Sequence, residues 1–283
     1  MRTIKLRNEI IDYGVRLLRP EEQWKIALGE DINVAILDTG IDYNHEDLKC
    51  NVKGGINFTS PDRNDYMDKH GHGTFCAGII GASANRQGII GLAPKVNLFA
   101  VKVLNDTSQG TLTWLIKGLQ WCIDNHMDII SMSLGFACDS WKMHNLVVQA
   151  YQQGITLIAA AGNDKEKRKH IYVDYPASYD EVICVTAVDK NSKLATFDLH
   201  GKSIELSAPG VDITSTFPYN SYALGSGTSF AAPHISGAIA LLQSTTLKKY
   251  GHKLSNEEVR IFLHEHAVRL NENGSGYGLF QFY

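Results

Sequence analysis

The serine at position 229 stands where nucleophilic chemistry is favoured. Its surroundings, Gly225-Ser-Gly-Thr-Ser-Phe-Ala-Ala-Pro-His234, combine glycines that allow a sharp turn with small side chains that leave room for a ligand. Pro233 suits a first helical turn and residues 235–242 are mostly apolar, so the pattern predicts a buried helix with Ser229 at or near its N-terminus. The N–H groups and the positive dipole end of that helix would stabilise an oxygen that becomes negative.

Two further motifs supply the partners that a serine nucleophile needs, which are a base and a group that orients the base. Asp38-Thr-Gly-Ile-Asp42 follows an apolar run, and His72-Gly-Thr-Phe-Cys-Ala-Gly78 opens a second helical stretch. Together with Gly227-Thr-Ser-Phe-Ala-Ala-Pro233 they resemble the three signatures of the subtilisin-like serine proteases, in the same Asp, His, Ser order. The resemblance extends from about Tyr13 to the chain end and is nearest to the intracellular subtilisins.

This resemblance implies peptide-bond hydrolysis through an acyl-enzyme. Ser229 would be the nucleophile, and His72 would take its proton and pass it to the leaving amine. Asp38 would orient the imidazole and stabilise its charged form. Asn163, which follows Ala159-Ala-Ala-Gly, would donate to the oxyanion together with the backbone N–H of Ser229. An Asn after Gly most often marks a turn, but the family pattern favours the oxyanion role.

The family's substrate-binding surface is matched by three short segments. The first would pair with the substrate backbone and consists of Ser108, Gln109 and Gly110. The other two would form opposite sides of the pocket for the residue before the cut; they are Ser133, Leu134 and Gly135, and Ala160 and Gly162. An ungapped count from Asn163 to Ser229 would place Asp174 at the pocket floor and Asp164 at its rim. A buried carboxylate favours a basic substrate residue. The alternative is that Asp174 points to solvent and that the basic run 165–169 cancels Asp164.

A structural Ca²⁺ site is implied by the same resemblance. Ca²⁺ takes six to eight oxygen ligands, many of them loop carbonyls. The matching positions are the side chains of Asp47 and Asn85, the carbonyls of Ser83, Gln87 and Ile89, and Glu9 as a further ligand. Arg86 is an unusual neighbour for a cation, so an ordinary turn is the alternative.

Two neighbours of His72 differ from the usual family pattern or extend it. Phe75 stands where the family usually has a second histidine, which affects packing rather than mechanism. Cys76 stands where some members hold a thiol beneath the catalytic histidine, although a small buried residue is the simpler interpretation.

Composition limits the remaining possibilities. The 283 residues are 44% hydrophobic and 20% charged, which predicts one domain over residues 1–283 with a short N-terminal extension at 1–12. A net charge of −3 gives no indication of a nucleic-acid or membrane-surface partner. An odd number of cysteines without a CxxC pair indicates reduced thiols in a cytoplasmic protein; they are Cys50, Cys76, Cys122, Cys138 and Cys184. The first residues lack a signal-peptide pattern and Asp38 comes early, so we expect either an intracellular protein without a prodomain or a trimmed mature form, and the initial Met favours the first.

Alternating strand and helix patterns predict an α/β fold with a doubly wound, mostly parallel central sheet and helices on both faces. Predicted strands cover 34–37, 98–104, 128–134, 155–161, 182–188 and 204–207. Predicted helices cover 24–28, 74–80, 112–125, 143–152, 235–242 and 255–264.

Two other functions are compatible with the motifs. A dedicated processing peptidase, such as one that removes leaders from ribosomally made peptides, would have the same site. A catalytically inactive member could act as a binding module, but every catalytic position is occupied.

Overall fold

A computed structural model describes residues 1–6, 8–163, 173–197, 201 and 203–283. Its strands in chain order are β1 (Arg2–Ile4), β2 (Asn33–Asp38), β3 (Val52–Asn57), β4 (Asn97–Lys102), β5 (Ile129–Met132), β6 (Thr156–Ala160), β7 (Val182–Val188), β8 (Ile204–Pro209), β9 (Ile213–Phe217), β10 (Ser221–Gly225), β11 (Ala267–Val268) and β12 (Leu279–Phe280). Its helices are α1 (Tyr13–Leu17), α2 (Glu21–Trp24), α3 (His72–Gly81), α4 (Leu112–Asp124), α5 (Trp141–Gln152), α6 (Thr228–Tyr250) and α7 (Asn256–Glu265).

Nine strands form one large sheet in the order β11-β12-β8-β7-β6-β5-β2-β4-β3. Its pairs are parallel except for β11 with β12. Side chains alternate between two cores: Val34 and Ile36 of β2 pack with α3 and α6, whereas Ala35 and Leu37 pack with α4 and α5. The predicted mostly parallel sheet with helices on both faces is confirmed.

A second, three-stranded antiparallel sheet has the order β1-β10-β9. The predicted N-terminal extension therefore contributes β1, which pairs with the strand that leads to Ser229. A single domain over residues 1–283 stays a prediction.

The start of α6 corrects one expectation. Pro233 was predicted in a first helical turn, but the helix begins at Thr228 and places Pro233 inside it, in the second turn. Side-chain contacts of Thr228 with Asn163 hold this start, and those contacts are not readable from local sequence. The helix also extends beyond the predicted 235–242, to Tyr250.

None of the helices within the described ranges is long and apolar enough to cross a membrane.

Candidate active site

Asp38 and His72 meet at the carboxyl end of the parallel sheet, where α/β folds place functional groups. Asp38 ends β2 and is fully buried, and His72 is the first residue of α3. Nδ1 of His72 lies 2.9 Å from each carboxylate oxygen of Asp38. The backbone N–H of Thr39 also donates to Asp38, at 2.7 Å. This fixes the carboxylate and leaves Nε2 as the ring nitrogen directed away from it.

Asp68 connects the loops that carry this pair. Its buried carboxylate accepts hydrogen bonds from the Thr39 hydroxyl at 2.9 Å and from the Thr74 hydroxyl at 2.6 Å. The backbone N–H groups of His70 and Gly71 donate to it as well. Sequence reasoning missed this residue, because it lies in a polar loop without a motif of its own.

The electrostatics of His72 favour its charged form. Burial lowers the pKa of the imidazole, but the charge of Asp38, the hydrogen bond to Asp38 and the charge of Asp68 together outweigh burial. The pKa of His72 is therefore raised above its ordinary value. A raised pKa makes the ring a better proton acceptor and stabilises the imidazolium that forms when it takes a proton.

Ser229 lies beside this pair as the second residue of α6. The sulfur of Cys76 lies within 4.8 Å of a carboxylate oxygen of Asp38 and of a ring nitrogen of His72. The thiol donates to the Ser229 carbonyl at 3.4 Å. The Ser229 hydroxyl donates to the carbonyl of Ser133 at 3.4 Å, and no hydrogen bond joins it to His72 among the described residues. Of the two contacts that the predicted roles require, the one between Asp38 and His72 is formed, whereas the Ser229 hydroxyl bonds to Ser133 instead of His72. Catalytic hydrogen bonds are often long or misaligned without substrate, and rotation about the serine Cα–Cβ bond redirects the hydroxyl.

Asn163 follows β6 and faces the start of α6. Its side-chain oxygen accepts from the Thr228 backbone N–H at 3.0 Å and from the Thr228 hydroxyl at 3.2 Å. The same hydroxyl accepts from the Gly162 N–H at 3.2 Å. Because Thr228 holds the amide oxygen, the NH₂ group is the donor end of this side chain, and its role toward an oxyanion stays a prediction. Thr228 belongs to the Ser229 motif, but no local pattern indicates its contacts with Asn163 and Gly162.

A cavity of about 180 Å³ opens next to Ser229. Its lining includes most of the predicted pocket residues and consists of Ser133, Leu134, Gly135, Ala160, Gly162, Asn163, Asp174, Thr228 and Ser229. Asp164, the predicted rim residue, and the basic run 165–169 lie outside the described residues.

Asp174 is held at this cavity by backbone pairing. The N–H of Phe136 donates to the carbonyl of Tyr175 at 2.7 Å, and the N–H of Tyr175 donates back at 2.9 Å. A β-carbon at Gly135 would lie 2.6 Å from the Asp174 β-carbon and 3.0 Å from its Oδ2, so glycine is required for this close approach. Asp174 is only 8% exposed. This geometry favours the pocket position over the solvent-directed alternative.

Segment 108–110, which is predicted to pair with the substrate backbone, lies outside the named strands of the structure. Ser108 has a positive φ of 58°, and its N–H donates to the Asn105 carbonyl at 2.9 Å. The N–H of Gln109 donates to the Asn105 side chain at 2.9 Å, so the segment turns back on Asn105. Gly110 makes one antiparallel bridge to Leu104. Pairing of this segment with a substrate stays a prediction.

The predicted calcium residues surround Asp47, which is fully buried. Its carboxylate accepts from the Asn85 amide, the Ile89 N–H and the Tyr222 hydroxyl, each at 3.0 Å. Carboxylate, amide and loop carbonyl oxygens are ligand types that Ca²⁺ takes, so the residues fit the ion in kind. However, Asn85 turns its nitrogen to Asp47, because its oxygen accepts from the Gln87 N–H at 3.0 Å.

The two remaining calcium positions border the same loop. The Ser83 N–H donates to the Asp47 carbonyl at 2.8 Å, and Glu9 accepts from the Arg86 N–H at 2.5 Å.

Phe75 has a packing position. It is fully buried, and its ring centroid lies 4.2 Å from that of Phe230, whose ring in turn lies 5.6 Å from the His72 ring. Two tilted aromatic contacts therefore connect Phe75 to the imidazole through Phe230.

Comparisons with known proteins agree with this fold and site. The subtilase family model matches residues 29–278. Subtilisin DY of Bacillus licheniformis is 40% identical over 266 residues, which are 94% of each chain. The minor extracellular protease Epr of Bacillus subtilis (strain 168) is 40% identical over 274 residues, which are 95% of this chain but 41% of Epr. The intracellular serine protease of Paenibacillus polymyxa is 37% identical over 267 residues, which are 93% of this chain and 82% of that protein.

The chain therefore belongs to the subtilase family, which is a family of serine peptidases and so of hydrolases. Its relatives include extracellular and intracellular proteins.

Proposed function

We propose that this protein is a serine endopeptidase that cleaves peptides or proteins with Asp38, His72 and Ser229. The proposal is supported above all by the contact of His72 Nδ1 with both carboxylate oxygens of buried Asp38. This pair lies beside Ser229, the second residue of α6.

The proposed reaction follows from these positions. Ser229 Oγ attacks the substrate carbonyl carbon while Nε2 of His72 takes its proton. Asp38 stabilises the resulting imidazolium through Nδ1. The Asn163 amide and the Ser229 N–H stabilise the tetrahedral oxyanion. His72 then gives its proton to the leaving amine, and a water molecule hydrolyses the acyl-enzyme along the reverse path.

Peptide hydrolysis with two serine variants tests this proposal. Ser229→Ala should abolish cleavage of a fluorogenic peptide mixture. Ser226→Ala is the matched control, because Ser226 is exposed. Within the described residues its hydroxyl accepts from the Asp212 N–H and donates to the Asp212 carboxylate. Full activity in Ser229→Ala, or loss of activity in both variants with intact folding, would contradict the proposal.

We further propose a preference for Lys or Arg before the cut. The argument is the Asp174 carboxylate, which lines the same cavity as Ser229 and is held there by the pairing of residues 136 and 175. The negative carboxylate would attract a substrate cation that enters this cavity.

We also propose that Asp47 and Asn85, with the carbonyls of Ser83, Gln87 and Ile89 and with Glu9, hold a structural Ca²⁺. The support is the buried Asp47 carboxylate, which lies against the loop that carries most of the other positions; Asn85 would bind through its oxygen after its side chain rotates. When bound, the ion would tie this loop to the N-terminal segment through its positive charge.

A cytoplasmic location is our last proposal on function. All five cysteines are free thiols, and Cys76, Cys122 and Cys184 are buried. Free thiols without disulfides are the usual state in a reducing compartment. Fractionation of the native host with a compartment marker tests it, and recovery in the medium would contradict it.

A further inference from the structure

The backbone carbonyl of Ser229 lacks the partner that a regular helix would give it. In an α-helix each carbonyl accepts from the N–H four residues later. Four residues after Ser229 stands Pro233, which has no N–H to donate to that carbonyl. A carbonyl in this position needs a donor from outside the helix, because an unpaired buried acceptor is destabilising.

Two side chains from other elements supply donors. The hydroxyl of Ser133, just after β5, donates to the Ser229 carbonyl at 2.7 Å. The thiol of Cys76, in α3, donates to the same oxygen at 3.4 Å. Ser133 is buried and Cys76 is fully buried, so water competes little with either contact. A hydroxyl is a much stronger donor than a thiol, so Ser133 carries most of this interaction.

We propose that Ser133 is a positioning residue for the nucleophile, with Cys76 as a weaker second donor; this inference rests on the proposed function. Ser133 contacts Ser229 twice, because its own carbonyl accepts from the Ser229 hydroxyl at 3.4 Å. The first contact fixes the backbone of Ser229, from which both the nucleophile and an oxyanion N–H project. The second contact holds the hydroxyl until substrate turns it to His72.

Removal of the hydroxyl should therefore slow chemistry more than binding. In Ser133→Ala we expect kcat to fall roughly 10- to 100-fold, with KM for a peptide substrate changed less than about threefold. Ser133→Thr keeps a hydroxyl and should stay within about threefold of the wild-type kcat. Cys76→Ala should have a small effect alone and a larger one on top of Ser133→Ala.

The decisive test restores the missing helix donor. Pro233→Ala supplies an N–H to the Ser229 carbonyl, so Ser133→Ala/Pro233→Ala should regain at least about fivefold in kcat over Ser133→Ala. Ser236→Ala is the matched control, because its hydroxyl donates to the Ala232 carbonyl at 3.2 Å and contacts Ser131, not Ser229. Pro233→Ala should not raise the kcat of Ser236→Ala.

Fluorophosphonate labelling separates the possible failures. Absence of labelling at Ser229 in the wild type would refute the proposed function itself. If the wild type is labelled normally and the kcat of Ser133→Ala is within twofold of the wild-type kcat, the positioning role is overturned. The same role is overturned if Pro233→Ala folds, as judged by its melting curve, and gives no rescue. If Pro233→Ala does not fold, a Ser133→Thr variant as slow as Ser133→Ala overturns it.

Discussion

Charge removal at Asp174, which lines the cavity beside Ser229, is the sharpest test of the proposed substrate preference. Asp174→Asn keeps the shape of the side chain and removes the charge. At 4 Å two unit charges attract by about 4 kcal/mol at the effective dielectric near a protein surface. Removal of the substrate cation from water offsets part of this, and hydrogen bonds between charged groups contribute about 1.5–3 kcal/mol net. Since 1.4 kcal/mol corresponds to tenfold, we expect roughly a 10- to 150-fold loss of kcat/KM for Arg peptides.

Matched peptides that differ only in the residue before the cut give the measurement. For a Phe peptide, Asp174→Asn should change kcat/KM by less than about threefold, because no charge pair is lost. Asp180→Asn is the control, since Asp180 is exposed and six residues along the chain from Asp174. An Arg-to-Phe ratio that stays the same in Asp174→Asn would refute the basic preference, and an equal drop in Asp180→Asn would show a general charge effect.

The remaining predictions concern the reacting groups, the loop around Asp47 and the buried thiol. Asn163→Ala should lower kcat by about 10²-fold, since loss of this donor in subtilisin costs about 3 kcal/mol. The fold should stay intact with a lower melting temperature, because Thr228 loses two hydrogen bonds; near-normal kcat would remove Asn163 from the site. Catalysis needs neutral His72, and Asp38 raises the pKa of His72, so activity should rise with pH around a midpoint above 6.5. Asp38→Asn should lower kcat roughly 10⁴-fold and move the midpoint of that rise to lower pH. A pH profile that does not shift in Asp38→Asn contradicts the pairing of Asp38 with His72. A chelator should lower the melting temperature of the wild type but not of Asn85→Ala; no change in the wild type means that hydrogen bonds alone hold the loop. A bulky mercurial that reacts with Cys76 should stop cleavage, and full activity after confirmed modification refutes the contact with Ser229.

The parallel sheet could be predicted because its strands are apolar runs. Strands such as β5, β6 and β7 are buried along their whole length, so each reads as a continuous apolar segment. Strand β3 could not be predicted, because Gly54 and Gly55 have poor strand propensity and pairing with β4 holds them. The hairpin of β9 and β10 is rich in Ser, Thr and Tyr, and its pairing with β1 is a long-range contact.

The site residues were predicted from motifs, whereas their supports were not. Asp38, His72, Asn163 and Ser229 stand in recognisable patterns, and the structure brings them to one edge of the sheet. Asp68, Thr228 and Tyr222 act through contacts with residues far away in sequence, so no local pattern indicates them. Pro233 was assigned to the wrong helical turn for the same reason, because tertiary contacts decide where α6 begins.

Mass spectrometry of the protein after reaction with a fluorophosphonate measures the central claim most directly. We expect one adduct, on Ser229, with a labelling rate that falls by orders of magnitude in His72→Ala. A folded protein that takes no adduct, or that takes one on another residue at the same rate in both proteins, would contradict a nucleophile activated by Asp38 and His72.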